Sequence, residues 1–332
     1  MNENIDVSIV IVSYNTEKTT LDCVKSIMQS RTKFVYEVIV VDNDSRDNTV
    51  SSIRESFPQV NVICSEQNLG FSKGNNLGIQ NAKGKYLLLL NSDTLVFRTS
   101  IESLMLTAVR NNYSVCAPIL LNMDHTVQRS WFDFPSTFKL FLRLTDVYKL
   151  FYRFASSLLF RMLFSAKKPA FMLQKIDKDT QVDYLSFACV LLKRDIIEKI
   201  GLLDENLIFY HEDCEYGLRA KKNEIALYYT VDSKIIHLGG TSSSKFSMFS
   251  FENDIKGLLY LFKKHYSSRV FLYLKISIFL ALQFRIVFWH FGFFRKIGKF
   301  NIYKDNNLDN DNMDRELLNK YIELKHYILR YK

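Results

Sequence analysis

Several absences narrow the reading of this 332-residue sequence first. Its five cysteines, Cys23, Cys64, Cys116, Cys189 and Cys214, are scattered and odd in number, and no two form a CxxC pair. Neither a disulfide framework nor a zinc site is indicated, and a reducing cytosol is the simpler setting. The opening MNENIDVSIVIVSYN passes from acidic and polar residues straight into a strand pattern, so no signal peptide is expected. The greasiest stretch, RVFLYLKISIFLALQFRIVFWHFGFF over 269–294, is interrupted by Lys275 and Arg285. An unbroken apolar span is therefore missing, and each central cation costs roughly 2.5–3.5 kcal/mol on an insertion scale, so crossing the bilayer is disfavoured. The segment after the first predicted strand, SYNTEKTTL, has no glycine, which argues against the Gly-rich phosphate loop of a nucleotidyltransferase.

Acid is in shorter supply than base. With 44 Lys and Arg against 35 Asp and Glu, the formal net charge is +9, which points to an anionic partner: nucleic acid, an acidic membrane surface or a phosphorylated substrate. The basic residues interleave with aliphatic runs and make no polar stripe, so membrane is preferred over nucleic acid.

What is present is a core, 48% of residues being hydrophobic. The first half alternates strand and helix patterns: VSIVIVS (7–13), a helix over 16–30 with Thr16 as a cap, YEVIVVD (36–42), a helix running to Pro58, VNVIC (60–64), a Gly/Asn-rich loop leading into a helix, then YLLLLN before Ser92 and Asp93. Such alternation implies an α/β fold, a mostly parallel sheet with helices on both faces. Residues 183–237 read as the rest of the same sheet domain. In open sheets of this type ligands sit beyond the carboxyl ends of the strands. Asn15, Asp42, Asn68 and Asp93 all fall at that edge.

Three features bear on chemistry. Asp93 at a strand end is either a turn residue or a ligand for a divalent cation that carries a diphosphate. HEDCE (211–215) places Glu212, Asp213 and Glu215 at a helix start, either as capping acids or with one of them as a general base. His237, bracketed by Ile235-Ile236 and Gly239-Gly240, is either a packed residue or a metal or phosphate ligand.

VSIVIVSYN, VIVVDNDSRDNT, NLGFSKGNNLGI, KGKYLLLLNSDT, FYHEDCEYGLR and IIHLGGTS occur in that order. Together, over residues 7–243, they resemble the family two glycosyltransferases with the GT-A fold, most nearly the rhamnosyltransferase-like branch that builds bacterial surface polysaccharides. The resemblance implies inverting transfer of a sugar from a nucleoside-diphosphate donor (dTDP-rhamnose or a UDP-sugar) to a hydroxyl, with Mg or Mn on the diphosphate. It implies that Asp42 holds the base with Ser13, Tyr14 and Asn15 lining its pocket. Asn68, Gly70, Gly74, Asn75, Asn76, Asn91 and Ser92 would line the nucleotide-sugar, the glycines admitting close backbone approach. It makes Asp93 the metal carboxylate of a DxD-like motif in which Asn91 replaces the first Asp, His237 a further metal ligand, Asp213 the base and Glu212 a positioning group. The acceptor it implies is a glycan or a polyprenyl-diphosphate-linked sugar. A non-catalytic nucleotide-sugar-binding or membrane scaffold protein is the alternative class.

The expected layout is a GT-A domain over 1–243 with an amphipathic insertion at about 135–175, and a helical, membrane-associating region over 244–332. Within the insertion, Lys139, Arg143, Asp146, Lys149, Arg153, Ser157 and Arg161 share one face at 100° per residue, opposite Leu, Phe and Tyr. Such helices either bury their apolar faces in the protein or lie in an anionic membrane interface. The latter places the protein peripherally on the inner face of the cell membrane.

Overall fold

The computed structural model describes residues 4–145, 176–207, 210–239, 248–290 and 310–331. The chain divides into two units, one formed by 1–134 with 175–244 and the other by 135–174 with 245–332.

The first unit is built on one large sheet. Its strands are β1 (Val7–Ser13), β2 (Tyr36–Asp42), β3 (Asn61–Cys64), β4 (Tyr86–Asn91), β5 (Thr94–Val96), β6 (Val115–Leu121), β7 (Val127–Gln128), β9 (Thr180–Val182), β11 (Cys189–Lys193) and β12 (Leu227–His237). A separate pair joins β8 (Trp131–Phe132) to β10 (Tyr184–Leu185). The order across the main sheet is β3-β2-β1-β4-β11-β6-β12-β5, with β7 on β6 and β9 on β12. The first four strands in that order run parallel, and β11 is antiparallel to both β4 and β6. The β-branched runs of β1 and β2 and Leu87–Leu90 of β4 are buried on both faces, as strands covered twice must be. Each such Leu is worth roughly 2 kcal/mol of burial.

The covering helices are α1 (Glu17–Met28), α2 (Thr49–Ser56), α3 (Gly70–Asn81), α4 (Ser100–Asn111), α6 (Arg194–Ile200) and α7 (Glu212–Lys222); α5 (Thr137–Thr145) belongs to the second unit. The Gly/Asn-rich stretch expected to be a loop leading into a helix is helical from Gly70 onward. Gly74 and Gly78 are packing devices: a Cβ on Gly78 would meet Val10 Cγ1 at 2.3 Å, and one on Gly74 would meet Val12 Cγ1 at 2.9 Å. Thr16 stands at the N-cap of α1 without a side-chain capping bond. Its hydroxyl bonds to those of Ser13 and Thr20 instead, at 3.0 and 3.1 Å.

The second unit is helical: α5, α8 (Met248–His265), α9 (Ser268–His290) and α10 (Asn310–Arg330). Its core includes Leu140, Leu144, Leu258, Phe262, Leu274, Ile278, Leu282, Leu324 and Ile328, all buried. The apolar stretch Ser268–Val287 of α9 is long and apolar enough, by length and composition, to cross a membrane. The expectation set Lys275 and Arg285 against such a crossing, and both cations lie in the stretch. Both are engaged within the unit: Lys275 Nζ donates to Tyr331 O at 2.8 Å, and Arg285 donates to Leu144 O and, at 3.0 Å, to Tyr321 Oη. Of the predicted basic helix, α5 shows the beginning, with Leu140 and Leu144 buried and Arg143 paired to Asp254 at 3.0 Å. Residues 146–164 lie outside the described residues.

Candidate functional site

The parallel registers align Ser13 with Asp42 and Asp42 with Cys64, and set Asn91 opposite Val12, so the carboxyl ends of β1 to β4 form one edge. Asp42 is the deepest acid there, only 3% exposed. The Ser45 backbone N–H donates to its Oδ2 at 3.0 Å, whereas Oδ1 is buried and has no partner among the described residues. A buried carboxylate oxygen without a donor is an exception to how proteins treat polar atoms, and a ligand N–H or O–H is what would satisfy it.

The rim around Asp42 is tied by Asn15. Its left-handed backbone (φ 50°) lets Oδ1 accept from Arg46 N at 2.7 Å while its own N–H donates to Ser45 Oγ at 2.9 Å. Tyr14 is 45% exposed beside it. Ser13 is different: its hydroxyl is turned inward onto Thr16 and Thr20. Asn68 Oδ1 accepts from Gly70 N at 2.9 Å, and Gly70 O accepts from Asn43 Nδ2 at 3.0 Å, which fixes the loop over the edge.

Three residues expected to line the nucleotide-sugar have structural duties. Asn75 donates to Phe71 O at 3.0 Å. Asn76 accepts from Leu203 N and donates to Leu203 O, each at 2.9 Å, and both asparagines are buried. Gly74 is small because Val12 and Asn43 lie against it. Ser72 adds a bond to Leu207 O at 3.0 Å, so α3 holds the loop that leads to α7.

At the other end of the edge, β4 stops at Asn91, Ser92 and Asp93 form the turn, and β5 leaves to pair antiparallel with the end of β12, Thr94 opposite His237. That pairing, with Leu238 N donating to Asp93 O at 2.8 Å, brings His237 to Asp93. Asp93 Oδ1 and His237 Nε2 are 3.3 Å apart, and both side chains are largely buried. Asn91 Nδ2 lies 3.5 Å from the same Nε2, and Ser92 Oγ 3.5 Å from Thr16 Oγ1. The other ring nitrogen, Nδ1, is 2.7 Å from Gln128 Oε1. Sequence reasoning did not single out Gln128; the only signal is the polar NMDHT turn that closes the β6–β7 hairpin before it. Among the described residues no cluster of three His, Cys, Asp or Glu forms a metal cage. Asp93 and His237 nonetheless fit an ion that takes its other ligands from elsewhere. Adjacent ligands at right angles on a cation with bonds of about 2.1 Å sit about 3 Å apart.

The acids of α7 follow two successive left-handed residues, Tyr210 and His211, each at φ 69°. Such a pair of non-glycine residues is held only where the surroundings enforce it. Glu215 serves the architecture: it is fully buried, pairs with Arg219 Nε at 2.8 Å, and Arg219 goes on to the carbonyls of Ile200 and Leu202. Glu212 and Asp213 do not. As whole residues both are partly exposed, but Glu212 Oε2 is buried and has no partner among the described residues. Burial, then the neighbouring Asp213 charge, pushes Glu212 well above the usual carboxylate range. Burial raises Asp213 too, by less, because the Cys214 N–H at 2.7 Å and nearby His211 oppose it. Two adjacent carboxyls pushed apart in this way are suited to different proton tasks.

Comparison with known proteins bears on this geometry. The profile described as Glycosyl transferase family 2 matches residues 8–201. The chain is 27% identical over 226 residues to the low-salt glycan biosynthesis hexosyltransferase Agl10 of Haloferax volcanii, covering 66% of this chain and 63% of that protein. It is 29% identical over 109 residues to the UDP-Glc:alpha-D-GlcNAc-diphosphoundecaprenol beta-1,3-glucosyltransferase WfgD of Escherichia coli, covering 32% of this chain and 43% of that one. The chain thus spans less than two thirds of the length of these curated relatives. In fold it is similar to GalNAc-T7, solved with UDP, GalNAc and Mn2+: TM-score 0.53, 16% identity, 78% of this chain and 48% of that one. The sheet and its helices are of the GT-A type, and the chain belongs to glycosyl transferase family 2.

Proposed function

We propose that the chain moves a sugar, with inversion, from a nucleoside-diphosphate donor to a hydroxyl of a glycan or polyprenyl-diphosphate-linked acceptor in cell-surface polysaccharide synthesis. The observation that carries this reading is the buried Asp42 Oδ1, without a partner among the described residues, at the carboxyl edge of the parallel strands, a place for a hydrogen-bond donor of a nucleobase. dTDP-rhamnose and UDP-sugars are the donors in view. Support for the class comes from the names of the relatives: Agl10 is a hexosyltransferase of glycan biosynthesis, and WfgD takes UDP-Glc to a diphosphoundecaprenol-linked sugar.

In this mechanism the acceptor hydroxyl attacks the anomeric carbon from the face opposite the diphosphate, and Asp213 takes the proton as the new bond forms. Asp213 is oriented by the Cys214 N–H on its Oδ1. Burial and the neighbouring Asp213 charge raise Glu212, so it holds a proton more readily than an ordinary carboxyl and limits the charge on the pair. One base suffices because no covalent enzyme intermediate forms. Asp93 and His237 would hold Mg or Mn. When bound, such an ion neutralises charge that develops on the departing diphosphate. The first unit is the donor-binding and catalytic part. The exposed apolar face of α9 and the basic residues Lys139 and Arg143 of α5 support an association of the second unit with an anionic membrane on its cytosolic side.

The test is Asp213→Asn, assayed with radiolabelled nucleotide-sugars and membrane-extracted acceptors. Transfer falls by about 10²–10⁴, the usual contribution of a general base, while nucleoside-diphosphate affinity stays within about threefold. Because burial raises Asp213 and the base acts ionised, the wild-type rate is lost on the acid side at a higher pH than an ordinary carboxylate would give. Near-normal transfer by the variant overturns the assignment.

A further inference from the structure

Gln128 has a place in this site that follows from the direction of its hydrogen bonds. The direction is set at Asp124, in the turn between β6 and β7. Its Oδ1 accepts from the Thr126 backbone N–H at 3.0 Å and from the Thr126 hydroxyl at 2.6 Å. A carboxylate can only accept, so the single hydroxyl proton of Thr126 is spent there. Toward Asn122 the same oxygen is therefore an acceptor, and Asn122 Nδ2 donates to it at 2.9 Å. That fixes the Asn122 amide, whose Oδ1 faces Gln128 and accepts from Nε2 at 3.3 Å. The Gln128 amide is fixed in turn, with Oε1 toward His237 Nδ1 at 2.7 Å. A carbonyl oxygen cannot donate, so the proton of a neutral imidazole lies on Nδ1 and the lone pair on Nε2.

Nε2, which carries that lone pair, lies 3.3 Å from Asp93 Oδ1. With Nε2 unprotonated neither atom can donate to the other, and a divalent cation between them can bond to both. Asn91 Nδ2, at 3.5 Å, is at the limit for a donor and leaves Nε2 weakly used. The backbone holds the partners in place. Gln128 pairs with Leu120 on one side of β6 and Ile236 with Leu121 on the other, so Gln128 and the next residue, His237, rise on the same face of the sheet on either side of β6. Gly239 leaves room, since a Cβ there would come within 3.3 Å of Gln128 Nε2.

We propose that Gln128 is a positioning residue that holds His237 in its Nδ1–H tautomer and so presents Nε2, beside Asp93 Oδ1, to a divalent cation, with Asp124, Thr126 and Asn122 setting the direction of the Gln128 amide. The inference rests on the metal-assisted reading of the site given above. Its test uses the full chain and two readouts that need no turnover. The 15N spectrum of the histidine-labelled, metal-free protein reports the tautomer, the His237 signals being those that vanish in His237→Gln. Mn2+ affinity, alone and with UDP or dTDP, is read from the free-ion paramagnetic signal. In the wild type Nδ1 is protonated and Nε2 is not. Gln128→Met, of similar length without the acceptor, loses that preference and weakens Mn2+ binding 10- to 100-fold, the usual loss when the partner of a ligating histidine is removed. Gln128→Glu, which keeps an acceptor, retains both. A protonated Nε2 in the wild type, unchanged Mn2+ affinity in Gln128→Met, or no Mn2+ binding by the wild type overturns the inference. Intact tautomer and Mn2+ binding in a chain that transfers no sugar count against the proposed function and leave this inference standing.

Discussion

The two units treat buried polar groups in opposite ways. In the helical unit, Arg285 is nearly buried, and its guanidinium is spent in place on Leu144 O, Tyr321 Oη and the faces of Phe251 and Tyr321. In the sheet unit two enclosed carboxyl groups, Asp42 and Glu212, each keep an oxygen with no partner among the described residues. All the described buried side-chain atoms left unpaired fall in this unit. Polar burial that is fully matched holds helices together. Polar burial left open costs stability, and for Asp42, at the carboxyl edge of the parallel strands, a ligand would complete it.

The sharpest way to break this contrast is to remove the matched group. Arg285→Met keeps much of the volume but strands Leu144 O and Tyr321 Oη. We expect a loss of about 1–3 kcal/mol in a melting experiment, the cost of buried groups left without partners, and no change in nucleoside-diphosphate affinity of the folded chain. If the melting temperature is unmoved, Arg285 is not an architectural cation, and the two units do not differ as described.

A smaller effect sharpens the contrast from outside. Leu272, Tyr273, Ile276, Leu280 and Val287 form an exposed apolar stripe on α9, spaced as one helical face. Leu272→Ser with Ile276→Ser removes surface that the protein itself does not use, so stability changes by no more than about 0.5 kcal/mol per site. Recovery on anionic vesicles in a sedimentation assay drops severalfold. Equal recovery of variant and wild type would mean that this face is not what meets the membrane.

The sheet was legible in the sequence because its strands announce themselves by burial on both faces, as in VSIVIVS and LLLL, and because Asp42, Asn91 and Asp93 sit where those runs end. The motifs also led to the family. Less legible was how the side chains divide their work. Asn75 and Asn76 look like ligand groups in a Gly/Asn-rich stretch, yet their bonds go to Phe71 and to Leu203. Glycine in that stretch reads equally as room for a ligand or room for a strand, and at Gly74 and Gly78 it is the strand. Gln128 was hidden altogether, because its role depends on a hairpin folding back beside β12, a pairing across more than a hundred residues of sequence. Where the cations of α9 spend their charge was not legible either: Lys275 and Arg285 interrupt the apolar run along the chain, yet both are bonded within the fold.

The central claim is that the open oxygen of Asp42 receives a nucleotide. Calorimetric titration of the whole chain with UDP and dTDP in the presence of Mn2+, for wild type and for Asp42→Asn, tests it most directly. The account predicts saturable binding of at least one of the two nucleotides by the wild type. It predicts a 10- to 100-fold weaker affinity in the variant, about 1.4–2.8 kcal/mol, as expected for one hydrogen bond to a charged group. Failure of the wild type to bind either nucleotide, or equal affinity in the variant, would contradict it.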